Sequence, residues 1–113
     1  MIETVILDYL TDVLHIPVCM EIPTPMPERF VVLEKTGGGM ENHIFSSTIA
    51  VQSYGKTLYE AAVINEEIKG ALLYGRVPNE ICKVSLNSDY NFTDPDLDRY
   101  RYQAVYDITH YKT

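Results

Sequence analysis

The hydrophobic pattern of this sequence changes its period between residues 51 and 62, from that of a strand to that of a helix. Just before this stretch the side chains alternate between two faces, with Phe45, Ser47, Ile49 and Val51 on one of them, as in a half-buried strand. After it, apolar residues recur at three- and four-residue steps. These helical positions are Leu58, Ala61, Ala62, Ile64, Ile68, Ala71 and Leu72. The chain must therefore contain a strand that leads directly into an amphipathic helix.

The sequence also carries the start and stop signals of this helix. Thr57 and Glu60 have the spacing of a capping box, in which each side chain satisfies a free backbone N–H of the first turn. Gly75 followed by Pro78 marks the other end. The pattern predicts a helix of about four to five turns.

The rest of the chain supplies another helix and several strands. Helical spacing of apolar residues predicts an amphipathic helix that ends before Pro17, formed around Ile2, Val5, Ile6, Tyr9, Leu10, Val13 and Leu14. Alternation or β-branched residues predict strands near 18–22, 29–36, 43–52, 81–87 and 99–109. In the fourth strand Cys82, Val84 and Leu86 are expected to face inward. Residues 37–39 are predicted to form a flexible turn and residues 88–98 a loop.

The predicted order is helix, strand, strand, strand, helix, strand, strand. It indicates a single-domain α+β sandwich over residues 1–113, with a mixed or mainly antiparallel sheet and two helices packed on one face. A chain of 113 residues suits one domain, because it can bury roughly 65% of the surface that it exposes when unfolded.

The net charge of the chain argues against nucleic acid as a tightly bound partner. A net charge of −7, with a pI near 4.8, argues against tight nucleic-acid binding, which depends on Lys and Arg. No apolar run approaches the ~18 residues of a membrane span, and Met1-Ile2-Glu3-Thr4 lacks the basic start of a signal peptide, so a cytosolic origin without membrane partners is expected. Cys19 and Cys82 are expected to be buried thiols; they could pair only if their strands were adjacent.

The residues that most resemble chemical motifs do not complete one. Asp94, Asp96 and Asp98 have the opening spacing of a calcium loop, but Arg99 and Val105 occupy the positions that should be Gly and Glu. His15, His43 and His110 lack the short paired spacings of metal sites. Gly37 to Gly39 lack the Gly-Lys-Ser/Thr ending of a phosphate loop, and no nucleophile elbow surrounds any Ser. The sequence predicts no catalytic set, no metal and no cofactor, and hence no enzyme.

Two surfaces are candidates for contact with other subunits. The first is the predicted hairpin from Arg29 to Tyr54 with its tip at Gly37, Gly38, Gly39 and Met40, because a long two-stranded ribbon is only marginally stable alone. An ordinary hairpin covered by its own helices is the alternative. The second is a row of tyrosines in the last strand, which could be either core or subunit interface. These are Tyr100, Tyr102 and Tyr106.

In this order and at this length, the elements resemble the tail-terminator and tail-completion proteins of long-tailed bacteriophages. The resemblance covers almost the whole chain. It depends on the opening helix, the Pro-rich connection before Arg29-Phe30-Val31-Val32-Leu33-Glu34, the Gly-rich hairpin, the helix entered through Ser53-Tyr54-Gly55-Lys56-Thr57, and the closing segment from Asp94-Pro95 to Thr109.

The resemblance implies a structural role in the virion neck. The resemblance implies a single α+β domain that assembles into a ring, usually of six copies, on the end of a tail tube. It implies no catalytic residue and no cofactor. The implied partners are the subunit itself, the tail-tube protein and the head-tail connector proteins, during assembly in the host cytoplasm and then in the virion. DNA would pass through such a ring, so an acidic subunit that does not grip phosphate is expected.

Two other functions remain open from the sequence. A connector adaptor or minor capsid component on the head side of the neck would have a similar size. A small ligand-binding or enzymatic α+β domain would instead use a cleft with Asp94, Asp96 or His110 as its polar groups.

Overall fold

A five-stranded sheet with the order β1-β2-β3-β5-β4 organises the chain. The computed structural model describes residues 1–113. The elements are α1 (Ile2–Leu14), β1 (Val18–Cys19), β2 (Phe30–Glu41), β3 (Ile44–Gly55), α2 (Leu58–Tyr74), β4 (Ile81–Asn91) and β5 (Tyr100–His110). β1 is parallel to β2, and the other neighbouring strands are antiparallel. The predicted α+β class, element order and mixed sheet are therefore confirmed.

Both helices pack on the same face of the sheet, which we call the helix face. Ile6 and Leu10 of α1 and Ile68 of α2 are fully buried there, against side chains from every strand. The sheet contributes Val18, Val31, Leu33, Ile49, Val51, Ile81, Ala104, Tyr106 and Ile108 to this cluster. Burial of a large apolar side chain stabilises the fold by about 1.5–3 kcal/mol, so this cluster is its main core.

The junction between β3 and α2 has the predicted geometry. The hydroxyl of Thr57 accepts a hydrogen bond from the backbone N–H of Glu60, with 3.1 Å between the two atoms. Gly55 lies so close to the first turn of α2 that a Cβ there would meet the backbone nitrogen of Ala61 at 2.8 Å. Only glycine allows the strand to approach the helix this closely, and the cap then starts the helix at once.

A second, smaller core lies on the opposite face of the sheet, which we call the open face. Phe30 stacks on Tyr54, with 4.4 Å between the ring centroids, and Met26 and Leu97 cover them. The connection from β1 to β2 is held there by Arg99, whose guanidinium donates to the carbonyl oxygens of Met26 and Pro27. Arg99 is buried, and its guanidinium also donates to the carbonyl oxygen of its neighbour Asp98.

The predicted hairpin exists, but its tip does not lie at residues 37–39. β2 continues through the glycines to Glu41, and Asn42 and His43 make a two-residue turn with φ values of 51° and 65°. Both values are in the left-handed region that such turns require. The hairpin also does not project as a free ribbon, because β3 pairs with β5 from Phe45 to Gly55.

Two further boundaries differ from the prediction. β1 has only two residues, and Met20 and Ile22 beyond it are exposed. β4 extends to Asn91, so residues 88–91 form strand rather than loop, and bulges interrupt it at Cys82 and Asn87. At the first bulge Cys82 is exposed to solvent, so the prediction that it is buried was wrong. Cys19 is half-buried, and both cysteines are free thiols.

Candidate interaction surfaces

The outer half of β2 has a neighbouring strand, β3, on one side only. β1 pairs only with Val31 and Val32, so the outward edge of residues 33–41, which we call the free β2 edge, carries unpaired backbone groups. From Glu34 onward every side chain on this stretch is exposed, and Met40 is 61% exposed. Exposed edges of this kind are templates for pairing with another chain.

The three glycines of this edge are not required by the fold of the single chain. None of them has a positive φ. A Cβ added at Gly37 or Gly39 would meet no atom within 4 Å, and one at Gly38 would meet only Lys35 and the carbonyl of Ser46 at 3.1 Å. A glycine inside a strand weakens it, and it often marks a place where another backbone approaches closely.

The three candidate tyrosines of β5 have three different environments. Tyr106 is 0% exposed and belongs to the main core, so it offers no surface to a partner. Tyr102 is half-buried, and Tyr100 is 45% exposed beside a groove lined by Lys56, Asp94 and other residues of the 93–100 loop. The structure therefore resolves the choice between core and surface residue by residue.

A polar cluster lies between α2 and the end of β4. Asp89 accepts hydrogen bonds from the Asn65 amide at 2.7 Å and from the Lys69 ammonium at 2.5 Å. Lys69 also pairs with Glu66 at 2.7 Å, and these partners raise the Lys69 pKa. Burial strongly raises the pKa of the Tyr106 phenol, and the nearby charges of Asp89 and Glu66 add to this effect. The Tyr106 hydroxyl has no hydrogen-bond partner.

A row of hydrogen-bonded side chains crosses the open face. The Tyr54 hydroxyl donates to Gln52, Gln52 donates to Gln103, and Gln103 donates to the hydroxyl of Tyr90. The guanidinium of Arg101 lies 4.4 Å from the centroid of the Phe92 ring and donates to the Tyr54 hydroxyl. The alternation of β3 and β5 placed Gln52 and Gln103 on this face, but only the strand register brings them opposite each other.

Ser47 and His110 form a pair that sequence reasoning missed. The Ser47 hydroxyl oxygen lies 2.8 Å from Nε2 of His110, and Nδ1 of the same ring lies 2.7 Å from the carbonyl oxygen of Tyr111. A carbonyl only accepts, so in a neutral imidazole Nδ1 carries the proton and Nε2 accepts from Ser47. This resembles a nucleophile and its base, but Ser47 is 3% exposed and cannot meet a substrate.

The other polar residues have local structural roles. His15 caps α1 in a left-handed conformation, and His43 lies in the hairpin turn. Asp94 accepts a hydrogen bond from the backbone N–H of Asp96 and so closes a turn. No group of three or more His, Cys, Asp or Glu side chains is placed to hold a metal ion. Neither helix combines the length and the apolar character that crossing a bilayer demands.

Comparison with known proteins identifies the fold rather than the family. Neither a protein-family model nor a curated protein matches the sequence. The fold is, however, similar to that of a chain in the solved virion of a native gene transfer agent (GTA) particle. The TM-score is 0.63 at 11% sequence identity, and the match covers 91% of this chain and 84% of the other. At this identity the likeness establishes a shared fold.

Proposed function

We propose that this chain is a structural subunit of a phage-like virion, which forms a ring that caps the tail tube and joins the tail to the head. The observation that carries the proposal is the shared fold with a chain of a gene transfer agent virion, over nearly the full length of both chains. The assignment to the tail terminator in particular comes from the sequence resemblance. Both lines of argument lead to a component of the particle rather than to an enzyme or a nucleic-acid-binding protein.

The charge of the chain supports this role. A subunit with a net charge of −7 lining a channel would repel the phosphates of DNA and let the duplex slide. Lys and Arg number nine against sixteen Asp and Glu. A ring structure with a strongly basic bore would contradict this part of the proposal.

Light scattering over a range of protein concentrations, repeated with isolated tail tubes, tests the proposal. We expect a closed ring, or binding confined to tube ends that electron microscopy can locate. Tubes saturated beforehand with unlabelled protein are the control, because a specific cap leaves no free end. Binding along the sides of the tubes, or a monomer indifferent to tube ends, would contradict a terminator.

A connector adaptor or minor capsid component on the head side is the second candidate. The GTA likeness supports it equally, because a shared fold does not fix a position within the particle. Binding to isolated portal complexes instead of tube ends would favour this candidate.

The proposal includes the absence of an enzymatic activity. Asp94 and His110, on which a small ligand-binding or enzymatic domain would depend, line two separate grooves. They therefore provide no convergent set of acid, base and nucleophile.

A further inference from the structure

The sheet has two free edges, and they lie on opposite sides. One is the free β2 edge, residues 33–41, and the other is the outer edge of β4, because β4 is the last strand in the order β1-β2-β3-β5-β4. When the free edge of one copy pairs with the opposite edge of the next, the contact is head-to-tail and can repeat around a ring. Pairing of an edge with the same edge of a second copy would stop at a dimer.

The hydrogen bonds within the chain show which residues of the two edges direct their backbone N–H and C=O groups away from the sheet, a direction that we call outward. Val31 donates outward to the carbonyl of Pro17, so Leu33 and Lys35, at two-residue steps, also point outward. Thr36 is the extra residue of a bulge, after which Gly38 and Met40 take the outward positions.

The same reasoning applies to β4. Tyr111 donates to the carbonyl of Glu80, and Phe92 donates to that of Arg101, so the odd-numbered residues of β5 face β4. Their partners Lys83 and Ser85 therefore point inward. Val84 and Leu86, between the two bulges, direct their backbone groups to the free side.

The directions and levels of the two edges match. β2, β3, β5 and β4 alternate in direction, so β4 of one copy runs antiparallel to β2 of an identically oriented neighbour. Across the sheet, Gly38, Ser47, Ile108 and Val84 share one level, and Lys35, Ile49, Tyr106 and Leu86 share another. Outward residues thus meet outward residues when two copies stand side by side, as an antiparallel ladder requires.

The side chains around this contact also complement each other. Met40 and Leu86 are exposed apolar residues whose levels place them on the helix face, one beside each edge, so each would be covered by the neighbouring copy. On the open face, Lys83 shares a level with Gly39, two residues from Glu41, so a Lys and a Glu of opposite charge become diagonal neighbours. Gly37, Gly38 and Gly39 present no side chains to obstruct the approach.

The geometry points to a second copy of this chain as the occupant of the free β2 edge, with residues 83–86 of its β4 added as an antiparallel strand. This inference deepens the proposed function and rests on it only for self-association. Repetition joins the subunits of the ring into one continuous sheet.

Disulfide trapping of two exposed positions tests the contact. Lys35→Cys and Leu86→Cys place one thiol on each edge at the same level of the helix face, and Cys19→Ser with Cys82→Ser removes the native thiols. Within one chain these strands are three spacings apart, about 14 Å, which is too far for a disulfide. Every bridge formed on mild oxidation therefore joins two copies.

The oxidation is carried out at about 1 mM protein, where even an interface with a Kd of about 1 mM is half occupied. We expect a ladder of disulfide-linked multimers on a denaturing gel. The two single-thiol variants, Lys35→Cys and Leu86→Cys in the same background without native thiols, should give no bridge. Dimers from either control would overturn the inference in favour of an edge paired with itself. Rings seen by light scattering without any ladder would overturn it and leave the proposed function intact. A monomer that gives no ladder and is also indifferent to tube ends would contradict both.

Discussion

At the scale of single residues, two buried tyrosines differ in what their hydroxyls contact. Both are 0% exposed, but the Tyr54 hydroxyl bonds with Gln52 and Arg101, whereas that of Tyr106 has no partner. An unsatisfied buried hydroxyl costs about 1–3 kcal/mol, and a satisfied one contributes about 1 kcal/mol. We expect Tyr54→Phe to lower the free energy of unfolding by about 1 kcal/mol, and Tyr106→Phe to leave it unchanged or raise it by about 1 kcal/mol.

Urea unfolding of the two variants beside the parent protein checks this prediction. The substitutions are chemically identical and both sites are fully buried, so each serves as the control for the other. An equal loss in both variants would show that the Tyr106 hydroxyl has a partner such as an ordered water.

The pKa of Tyr106 predicts how the stability of the fold depends on pH. This pKa is raised in the folded chain, chiefly by burial and also by the charges of Asp89 and Glu66. A raised pKa of an acid means that the unfolded chain loses its proton first, so stability is full below the unfolded pKa of about 10 and falls as pH rises above it. Lys69, whose pKa is also raised, changes stability in the same direction.

We therefore expect the urea midpoint to fall above pH 10 and to fall less steeply in Tyr106→Phe. The slope that remains in the variant belongs to Lys69 and the other groups. Parallel curves for the two proteins would mean that Tyr106 ionises as readily in the folded chain as in the unfolded one.

At the scale of elements, the turn of the β2–β3 hairpin is built from residues that are not ideal for it. Asn42 and His43 both have positive φ, and the second position of such a turn strongly favours glycine. We expect His43→Gly to raise the free energy of unfolding by about 0.5–1 kcal/mol, since it removes the strain of a side chain at φ 65°.

Glu41→Gly is the matched control, because residue 41 is an exposed strand position without a positive φ. There glycine only adds freedom to the unfolded chain, and stability should fall by about 0.5–1 kcal/mol. Thermal unfolding of both variants measures the difference, and destabilisation by His43→Gly would contradict the role assigned to the turn.

The elements also show which parts of the fold could be predicted from the sequence. The helices and the class of fold follow from local period and from caps such as Thr57, because these signals lie within a few residues of each other. The hairpin turn was misplaced because three glycines are a stronger local turn signal than Asn42-His43, yet all three adopt ordinary strand angles.

Features that depend on tertiary contact were not predictable. The burial of Arg99 requires the carbonyls of Met26 and Pro27, more than seventy residues away along the chain. The exposure of Cys82 comes from a bulge that only the pairing with β5 reveals. Of the predicted contact residues, Gly37 to Met40 lie on an exposed edge and Tyr106 lies in the core, a distinction that alternation alone cannot make.

At the scale of the whole molecule, the chain carries seven net negative charges on a body of 44 × 24 × 24 Å. In the proposed ring, identical acidic subunits would repel each other, whereas the proposed strand pairing and apolar burial between them would depend little on salt. The Debye length falls from about 30 Å at 0.01 M salt, longer than the short axes of the subunit, to about 8 Å at 0.15 M. The repulsion between neighbouring subunits is therefore largely screened at the higher concentration.

We expect self-association to strengthen as sodium chloride is raised from about 0.01 M to about 0.15 M, as measured by light scattering or sedimentation at fixed protein concentration. Lys56→Glu is a useful comparison, because residue 56 is exposed beyond the end of β3, distant from both free edges, and the change makes the subunit more acidic. That variant should need more salt to reach the same degree of association. If association instead weakened steadily with salt, ion pairs across the contact would dominate over net repulsion, and the diagonal pair of Lys83 and Glu41 would be the first to test by charge reversal.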